Sequence, residues 1–595
     1  MIYEILKEKF GYSSYRPFQQ EAIESVLDNK DVLLVLPTGG GKSICFQIPA
    51  LAQDGMSIVV SPLIALMNDQ VMALNENGIK AYSLHSNIEH HVKQQIFDEI
   101  NRGEVKLLYV SPEGLQQESM LQYLQNKPIS LIAVDEAHCV SMWGNDFRPD
   151  YVKLSSLKTA FPNVPIMAVT ATADKATQDD IVDKLNLNDP AIYIGSFERT
   201  NITIIAKPGL DRYNQIKRFL STRLNQAGII YCTSRKSTEK VSAKLQKDGF
   251  SAAHYHAGLE RSQREQVHQD FIYDRVNIVC ATIAFGMGID KSNIRFVMHY
   301  NLSKNIESYY QEIGRAGRDG SEAETLLFYS YADISLLKSF ISDSDAETRY
   351  KEVQHAKLDR MWEFSNTAHC RTNIILNYFG EYRSTPCMHC DNCLNPPEKF
   401  DGTRFTQMAL SGIKRVDEKV NLNMLIDILR GSGRRDLMQR GYQHIKTYGV
   451  GRDLPLADWR SYIGQMIEQG YISIDYSAYG QLKMTTLAED VLFKNEQVNL
   501  VKFVWEDKKA KKSKAAIQKT DFEIDKSLFE QLRKLRSTLA SEQGVPAYVI
   551  FPNKTLEELS AVKPTDMLSF SLVNGVGKMK LEKYGQIFID EIKNH

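Results

Sequence analysis

A chain of 595 residues is long enough for several domains with sizeable cores. At 43% hydrophobic and 24% charged residues with a net charge of −1, it is neither a disordered polyelectrolyte nor a uniformly basic nucleic-acid binder, so any grip on phosphates must come from local patches. No apolar run is long enough to span a bilayer and the first ten residues lack a signal-peptide core, which predicts a soluble, cytoplasmic protein. Short apolar runs at 32–36, 58–60, 107–110, 131–134 and 166–169 alternate with longer polar or helical stretches. That is the rhythm of buried parallel strands joined by crossover helices. It pauses near 196–207 and resumes at 228–231, 277–279, 296–298 and 325–329, which predicts two parallel sheets with a cleft between them. From about 346 the pattern turns helical, passes a cysteine cluster, and reaches a helical stretch rich in basic residues between 420 and 470. Lysines crowd 508–514 (KKAKKSK), read as a linker, and a compact helical module closes the chain from about 522.

Directly after the first apolar run stands Pro37-Thr38-Gly39-Gly40-Gly41-Lys42-Ser43. Glycines let backbone amides curl round phosphate oxygens, and the helix that follows aims its positive end at the same place. Lys42 can reach the outer phosphates and Ser43 can join a magnesium shell. The strict phosphate-loop pattern asks for glycine at 36, where this chain has Leu36. The run at 131–134 ends in Asp135 and Glu136, the place where a parallel strand delivers acids to a ligand. Asp135 is read as a second magnesium ligand and Glu136 as the group that positions or deprotonates the attacking water. Arg315 and Arg318, three residues apart, share one face if helical and can stabilise charge on a transferred phosphoryl group. Alone, that pair reads better as solvated surface; in a second parallel-sheet lobe facing a nucleotide, the charge-stabilising reading wins.

Of the eight cysteines, Cys45, Cys139, Cys232 and Cys280 lie singly in or beside apolar segments and read as small buried hydrophobes. Cys387, Cys390 and Cys393 are each two residues apart, with Cys370 upstream. Four thiolates in that arrangement suit tetrahedral zinc, and an iron–sulfur cluster is the alternative the spacing leaves open. His369 and His389 neighbour the set and read as bystanders, because four cysteines already fill the shell.

These segments together resemble superfamily-2 helicases and, more narrowly, the RecQ DNA helicases, through FGYSSYRPFQQ (10–20), LPTGGGKSICFQIPAL (36–51), DEAHCVSMWGNDFRPDY (135–151), AFGMGIDK (284–291) and QEIGRAGRDG (311–320). The resemblance covers nearly the whole chain. It implies an α/β fold with two RecA-like parallel-sheet lobes (1–204 and 205–343), then a zinc-binding helical subdomain (344–406). A winged-helix domain (407–505), a basic linker (506–522) and a small all-helical HRDC-like domain (523–595) complete it. By that resemblance Tyr12, Arg16 and Gln19 recognise adenine, Thr38 to Ser43 hold the phosphates, Thr170 and Thr172 couple the lobes, and the cysteines bind zinc rather than iron–sulfur. Trp143, Phe147 and Arg148 are expected to sense single-stranded DNA, where stacking on a base contributes ~1–3 kcal/mol.

Further expected DNA contacts are Arg434 and Arg435, with Arg440, Lys446 and Arg452 nearby, and in the last module Tyr548, Lys534, Arg536 and Lys578. The implied activity is an ATP-dependent helicase using magnesium, moving 3′ to 5′ on single-stranded DNA and opening forked duplex in repair, recombination and replication. The expected setting is a bacterial, nucleoid-associated monomer, with a single-strand DNA-binding protein as a further partner. Two departures, Thr200 in SFERTN (196–201) and Gly114 in SPEGL (111–115), are read as peripheral to the chemistry. An RNA helicase and an architectural protein with a degenerate motor are the rival readings. The zinc and HRDC-like modules argue against the first; intact Lys42, Asp135, Glu136, Arg315 and Arg318 argue against the second.

Overall fold

The computed structural model describes residues 1–85, 88–141, 148–286, 291–344, 347–396, 398–475, 480–494, 496–501 and 525–595. The basic linker expected at 506–522 lies outside them, as do Trp143 and Phe147.

Seven strands form the first sheet: β1 (Val32–Val35), β2 (Met56–Val60), β3 (Ala81–Leu84), β4 (Leu107–Val110), β5 (Ile129–Val134), β6 (Ile166–Thr170) and β7 (Ala191–Ile194). Their order is β3-β4-β2-β5-β6-β1-β7, and neighbouring strands all run parallel. β1, β2, β4 and β6 are buried at every residue, so they read in the sequence as unbroken apolar runs. β3 (AYSL) is partly polar and β7 leaves Ile192 and Ile194 exposed, so neither announces itself in that way.

The second sheet contains β8 (Ile202–Pro208), β9 (Ala227–Tyr231), β10 (Ala252–Tyr255), β11 (Ile278–Ala281), β12 (Ile294–His299) and β13 (Ala323–Tyr329), ordered β10-β11-β9-β12-β13-β8 and parallel throughout. The expected pause at 196–207 is therefore shorter. β8 begins at Ile202 and pairs along its length with β13, so a lobe boundary at 204 cuts a strand of the second sheet.

Beyond β13 the helices Thr348–Asn366 and Arg371–Tyr378 carry the cysteine loop against the second lobe. The next module packs helices Thr403–Arg415, Leu422–Arg430 and Leu456–Glu468 around fully buried Trp459, with an antiparallel hairpin of Ile472–Asp475 and Gln481–Met484. It starts earlier than the expected residue 407, because Lys399–Asp401 pairs with Asn499–Val501 across the module's two ends. The last module is helical, from Lys526–Gln543 to Lys578–Lys593. No described helix is long and apolar enough to cross a membrane.

Candidate nucleotide site and cysteine centre

In the first sheet β5, β6 and β1 lie side by side, so the loops leaving their carboxyl ends meet. After β1 comes the glycine loop, whose Gly41 has φ +78 and no room for a side chain: a Cβ would stand 2.4 Å from Gln19 Nε2. That amide donates to the carbonyls of Gly40 (3.0 Å) and Gly41 (3.2 Å), while the Arg16 guanidinium donates to the Gly39 carbonyl. The Arg16 backbone N–H in turn donates to Gln19 Oε1 at 2.9 Å. Arg16 and Gln19 thus grip the loop's backbone, beside the exposed ring of Tyr12.

Lys42 opens the helix Lys42–Ala52 and donates to the Leu36 carbonyl at 3.2 Å. Lost hydration pulls its pKa below the usual lysine value, Glu136 and Asp135 push it back up, and Arg318 and Arg199 lower it. Ser43 Oγ accepts from Gln70 Nε2 at 3.4 Å. At the end of β5, Asp135 Oδ1 accepts the Glu136 N–H at 2.9 Å, and Tyr151 donates to the Asp135 carbonyl at 2.9 Å. Glu136 sits at φ +49, a conformation that non-glycine residues rarely adopt and that concentrates at functional sites.

From the second lobe, the helix Ile306–Ile313 and the turn after it bring Gln311, Arg315 and Arg318 to the same cleft. Gly314 makes the approach possible, since a Cβ there would lie 2.9 Å from Thr38 Cβ. One cavity of about 360 Å³ is lined by Tyr12, Arg16, Gln19, Thr38, Gly39, Gly41, Lys42, Ser43, Asp135, Glu136, Arg315 and Arg318 among others. Gly40 sits in the loop but outside that wall. Four cations, Arg16, Lys42, Arg315 and Arg318, face two carboxylates across it, a balance suited to a polyanion. The Ser43 hydroxyl and the Asp135 carboxylate are hard oxygen donors on one wall, the ligand type magnesium takes.

Three contributors escaped the sequence reading. His138, buried after β5, shares a 2.9 Å hydrogen bond between its Nδ1 and the Thr170 hydroxyl. Gln311 donates to the Thr172 hydroxyl at 2.9 Å and lies 3.4 Å from His138 Nε2. Arg199, in the segment read as peripheral, reaches the Thr38 carbonyl of the glycine loop. Such contacts are set by the tertiary fold, and only the short separation of His138 from Glu136 offered a local signal.

The Sγ atoms of Cys370, Cys387, Cys390 and Cys393 all lie within 4.8 Å of one another, with Cys387 and Cys393 3.8 Å apart. Zn–S bonds of ~2.3 Å in a tetrahedron place sulfurs ~3.8 Å apart, so the four thiols fit one zinc ion. Backbone amides of Cys387 and Cys390 donate to the sulfurs of Cys370 and Cys387, each at 3.3 Å, as suits thiolates. Hydrogen bonds from Cys370 and Cys390 hold the Cys387 thiol well below its ordinary pKa. His369 instead shares a hydrogen bond with Gln465 (3.0 Å), and His389 donates through Nδ1 to the Cys387 carbonyl (2.7 Å).

The expected DNA contacts are more scattered. Arg148 donates to the Pro62 carbonyl at 3.1 Å, bracing the loop after β2. Arg434 is committed to Asp427 and Asp436, both at 2.7 Å, whereas Arg435, Arg440, Lys446 and Arg452 are exposed. Lys534 and Lys578 are exposed and Tyr548 is half-buried. Arg536 is a correction: it is 1% exposed and donates to the Phe551 carbonyl (2.7 Å) and Asn553 Oδ1 (2.9 Å), so it ties the module's core together and is closed to DNA.

Two parallel-sheet lobes with a phosphate loop, an acidic pair and arginines facing one cleft define the core of a helicase-type, nucleotide-dependent motor. Comparison with known families agrees: residues 16–181 match the DEAD/DEAH box helicase model and 211–320 the helicase conserved C-terminal domain. Residues 331–394 match the RecQ zinc-binding model, 396–509 the RQC domain and 525–592 the HRDC domain. The ATP-dependent DNA helicase RecQ of Haemophilus influenzae is 43% identical, over 99% of this chain and 95% of its own length. Its namesakes from Pasteurella multocida (41%, covering 100% and 93%) and Bacillus subtilis (37%, covering 99% and 98%) are similar along the whole chain as well. The chain belongs to the RecQ helicase family.

Proposed function

We propose that this protein is an ATP-dependent DNA helicase that hydrolyses ATP in the cleft between its lobes and spends the closing motion on single-stranded DNA, moving 3′ to 5′ and opening duplex ahead of it. The observation that carries the reading is the single cavity in which Lys42, Asp135, Glu136, Arg315 and Arg318 come together from two lobes. Tyr12 stacks on the adenine ring, while Arg16 and Gln19 hold the loop beside it. The amides of Thr38 to Gly41 and the Lys42 ammonium take the phosphates. Ser43 and Asp135 are the residues that hold magnesium, which when bound neutralises phosphate charge. Glu136 orients the attacking water and accepts its proton, and Arg315 and Arg318 stabilise the negative charge that grows as the terminal phosphoryl leaves.

The four cysteines hold zinc in a closed shell with no open position, a structural role. Trp143, Phe147 and Arg148 report the track to the fuel site, and Arg434, Arg435 and Tyr548 add contacts in the later modules. Monomeric action on forks in repair, recombination and replication, at the nucleoid, completes the reading, with a single-strand DNA-binding protein as a partner.

The test is ATP hydrolysis with and without single-stranded DNA, alongside unwinding of partial duplexes bearing 3′ or 5′ tails. Wild-type protein should show DNA-stimulated hydrolysis and open only the 3′-tailed substrate. Lys42→Ala and Glu136→Gln should each lose at least ~10²-fold in turnover. Absence of DNA stimulation in the wild type, or full activity in Lys42→Ala, defeats the proposal.

A further inference from the structure

The connection that leaves β7 and enters β8 carries Arg199, whose guanidinium is half-buried between the lobes. Its Nη1 donates to the Thr38 carbonyl in the glycine loop and, at 3.4 Å, to the Gly314 carbonyl. Its Nη2 donates to the carbonyls of Ala316 (3.1 Å) and Gly317 (2.9 Å). Asn201, two residues on, donates to the Gly317 and Ser321 carbonyls at 2.9 and 2.8 Å. The turn that bears Arg315 and Arg318 is thus held by its backbone from one short segment.

These bonds are of two kinds. Arg199 precedes β8, a strand of the second sheet, so its bonds to 314–317 stay within the second lobe. The bond to Thr38 crosses the cleft to the first lobe. A planar fork with five N–H donors can satisfy both sides at once; a lysine ammonium is a point donor on a flexible stem and cannot span them.

The far side of the segment is fixed as well. The Phe197 ring stacks on Phe379 (centroids 4.4 Å apart, 12° between planes), and Tyr310 donates to the Phe197 carbonyl at 2.8 Å. Glu381 accepts from the Ser196 hydroxyl (2.8 Å) and the Phe197 N–H (2.9 Å), and Arg383 pairs with both oxygens of Glu198 at 2.7 and 2.8 Å. Arg199 therefore stands on a braced support rather than on a loose linker.

We propose that Arg199 is a positioning residue for ATP hydrolysis: by joining the Thr38 carbonyl to the backbone of 314–317 it sets the distance between the phosphate loop and the turn that presents Arg315 and Arg318. The role rests on the reading above that this cleft hydrolyses ATP. Arg199 is absent from the cavity wall, so it acts through that turn and not on the substrate. A displacement of ~1 Å in a charge-stabilising group can cost ~10²-fold in rate, which fixes the size of the expected effect.

The experiment uses the full chain and single-turnover ATP hydrolysis with saturating single-stranded DNA, for wild type, Arg199→Ala, Arg199→Lys, Arg318→Ala and Arg199→Ala/Arg318→Ala. Equilibrium binding of a non-hydrolysable ATP analogue and thermal melting are measured in parallel. Arg199→Ala should slow hydrolysis about 10- to 100-fold with analogue affinity changed less than about threefold and melting unchanged. Arg199→Lys should recover only part of the rate. Removing Arg199 from the Arg318→Ala protein should cost little more, because the two act on one step. Full-rate Arg199→Ala, or losses that simply multiply in the double variant, overturn the positioning role. If the alanine variant fails to fold, Arg199→Lys and Arg199→Gln carry the same comparison. A wild type without DNA-stimulated hydrolysis fails the functional reading itself, whereas an active wild type with a full-rate Arg199→Ala fails only this proposal.

Discussion

Gln311 of the second lobe donates a 2.9 Å hydrogen bond to the Thr172 hydroxyl of the first, at the point where the two sheets face one another. The same amide lies 3.4 Å from His138 Nε2, and His138 Nδ1 meets the Thr170 hydroxyl at 2.9 Å. If the amide donates to Nε2, the ring's proton sits on Nδ1 and Thr170 receives it. Thr170 then donates to the Thr172 carbonyl at 3.3 Å. Glu136 Oε2 is 3.4 Å from His138 Nδ1, so a chain of polar groups runs from the proposed water-activating carboxylate to the other lobe.

Gln311→Ala cuts that chain at the cleft. The net worth of one such bond, ~1 kcal/mol, corresponds to about a five- to tenfold change in a rate it supports. The expected outcome is a loss of that size in DNA-stimulated hydrolysis with ATP binding preserved. Steady-state ATPase assays over a DNA titration check it; unchanged stimulation by DNA would show that the lobes communicate by another route.

The residues proposed to hold phosphate and metal were legible because their chemistry is local: a glycine loop after an apolar run, two acids at a strand end, cysteines two apart. The same holds for the fully buried strands β1, β2, β4 and β6. What was hidden depends on distance along the chain. Arg199 meets Thr38 across 161 residues, and nothing in SFERTN marks it as different from other linker arginines. Arg536 misled for the opposite reason, since it follows Arg533 and Lys534 on an amphipathic helix and yet turns inward to carbonyl and amide partners. β8 was lost in the pause because its apolar ITIIA gives way at once to Lys207 and Pro208.

Cys390, the most buried of the four clustered cysteines, tests the metal. Wild-type protein should carry one zinc per chain by elemental analysis. Cys390→Ser should lose most of it and melt earlier, by several kcal/mol of lost stability, because structural zinc binding is folding free energy. The same loop holds Asp391, which pairs with Arg371 at 2.6 Å and accepts the Ala206 N–H of β8 at 2.9 Å, so the loss should spread to the edge of the second sheet. A visible charge-transfer band in the wild type, with iron in place of zinc, would instead identify an iron–sulfur cluster.

Glu468 predicts a pH dependence. It is 4% exposed, at the last position of the helix Leu456–Glu468, and accepts from the Thr367 hydroxyl of the cysteine subdomain. Burial raises its pKa to about 8, against the pull of Arg360 and the Thr367 hydrogen bond. A carboxyl raised in the folded state keeps its proton where the unfolded chain has released it, between the ordinary glutamate value and about 8. Its contribution to stability is therefore complete below the ordinary value, declines as pH rises through that window, and is flat above it. Glu468→Gln should remove the decline, so the variant gains on wild type as pH approaches 8, by an amount on the order of a few kcal/mol at most. Denaturant midpoints at several pH values measure this; parallel curves for the two proteins would count against it.

The HRDC module touches both lobes. Gly575 N–H donates to the Gly11 carbonyl at 3.0 Å, directly before Tyr12, and Lys583 pairs with Glu76 at 3.0 Å. On the second lobe, Tyr273 donates to the Gly544 carbonyl at 2.7 Å and the Ser321 hydroxyl to Glu557 at 3.3 Å. Lys583 and Glu76 are partly exposed, so their pair contributes only ~0.2–1 kcal/mol and is screened by salt. Lys583→Glu replaces attraction with repulsion and should loosen docking a few-fold to tenfold without unfolding the module. Amide hydrogen exchange reads this directly: the Gly575 N–H should exchange faster, and faster still at high salt, while core amides such as Leu532 keep their protection. Glu76→Lys combined with Lys583→Glu restores the opposite charges and should restore protection at Gly575. Exchange at Gly575 that ignores both the reversal and the swap would mean that the backbone contact at Gly11, not the ion pair, holds the module in place.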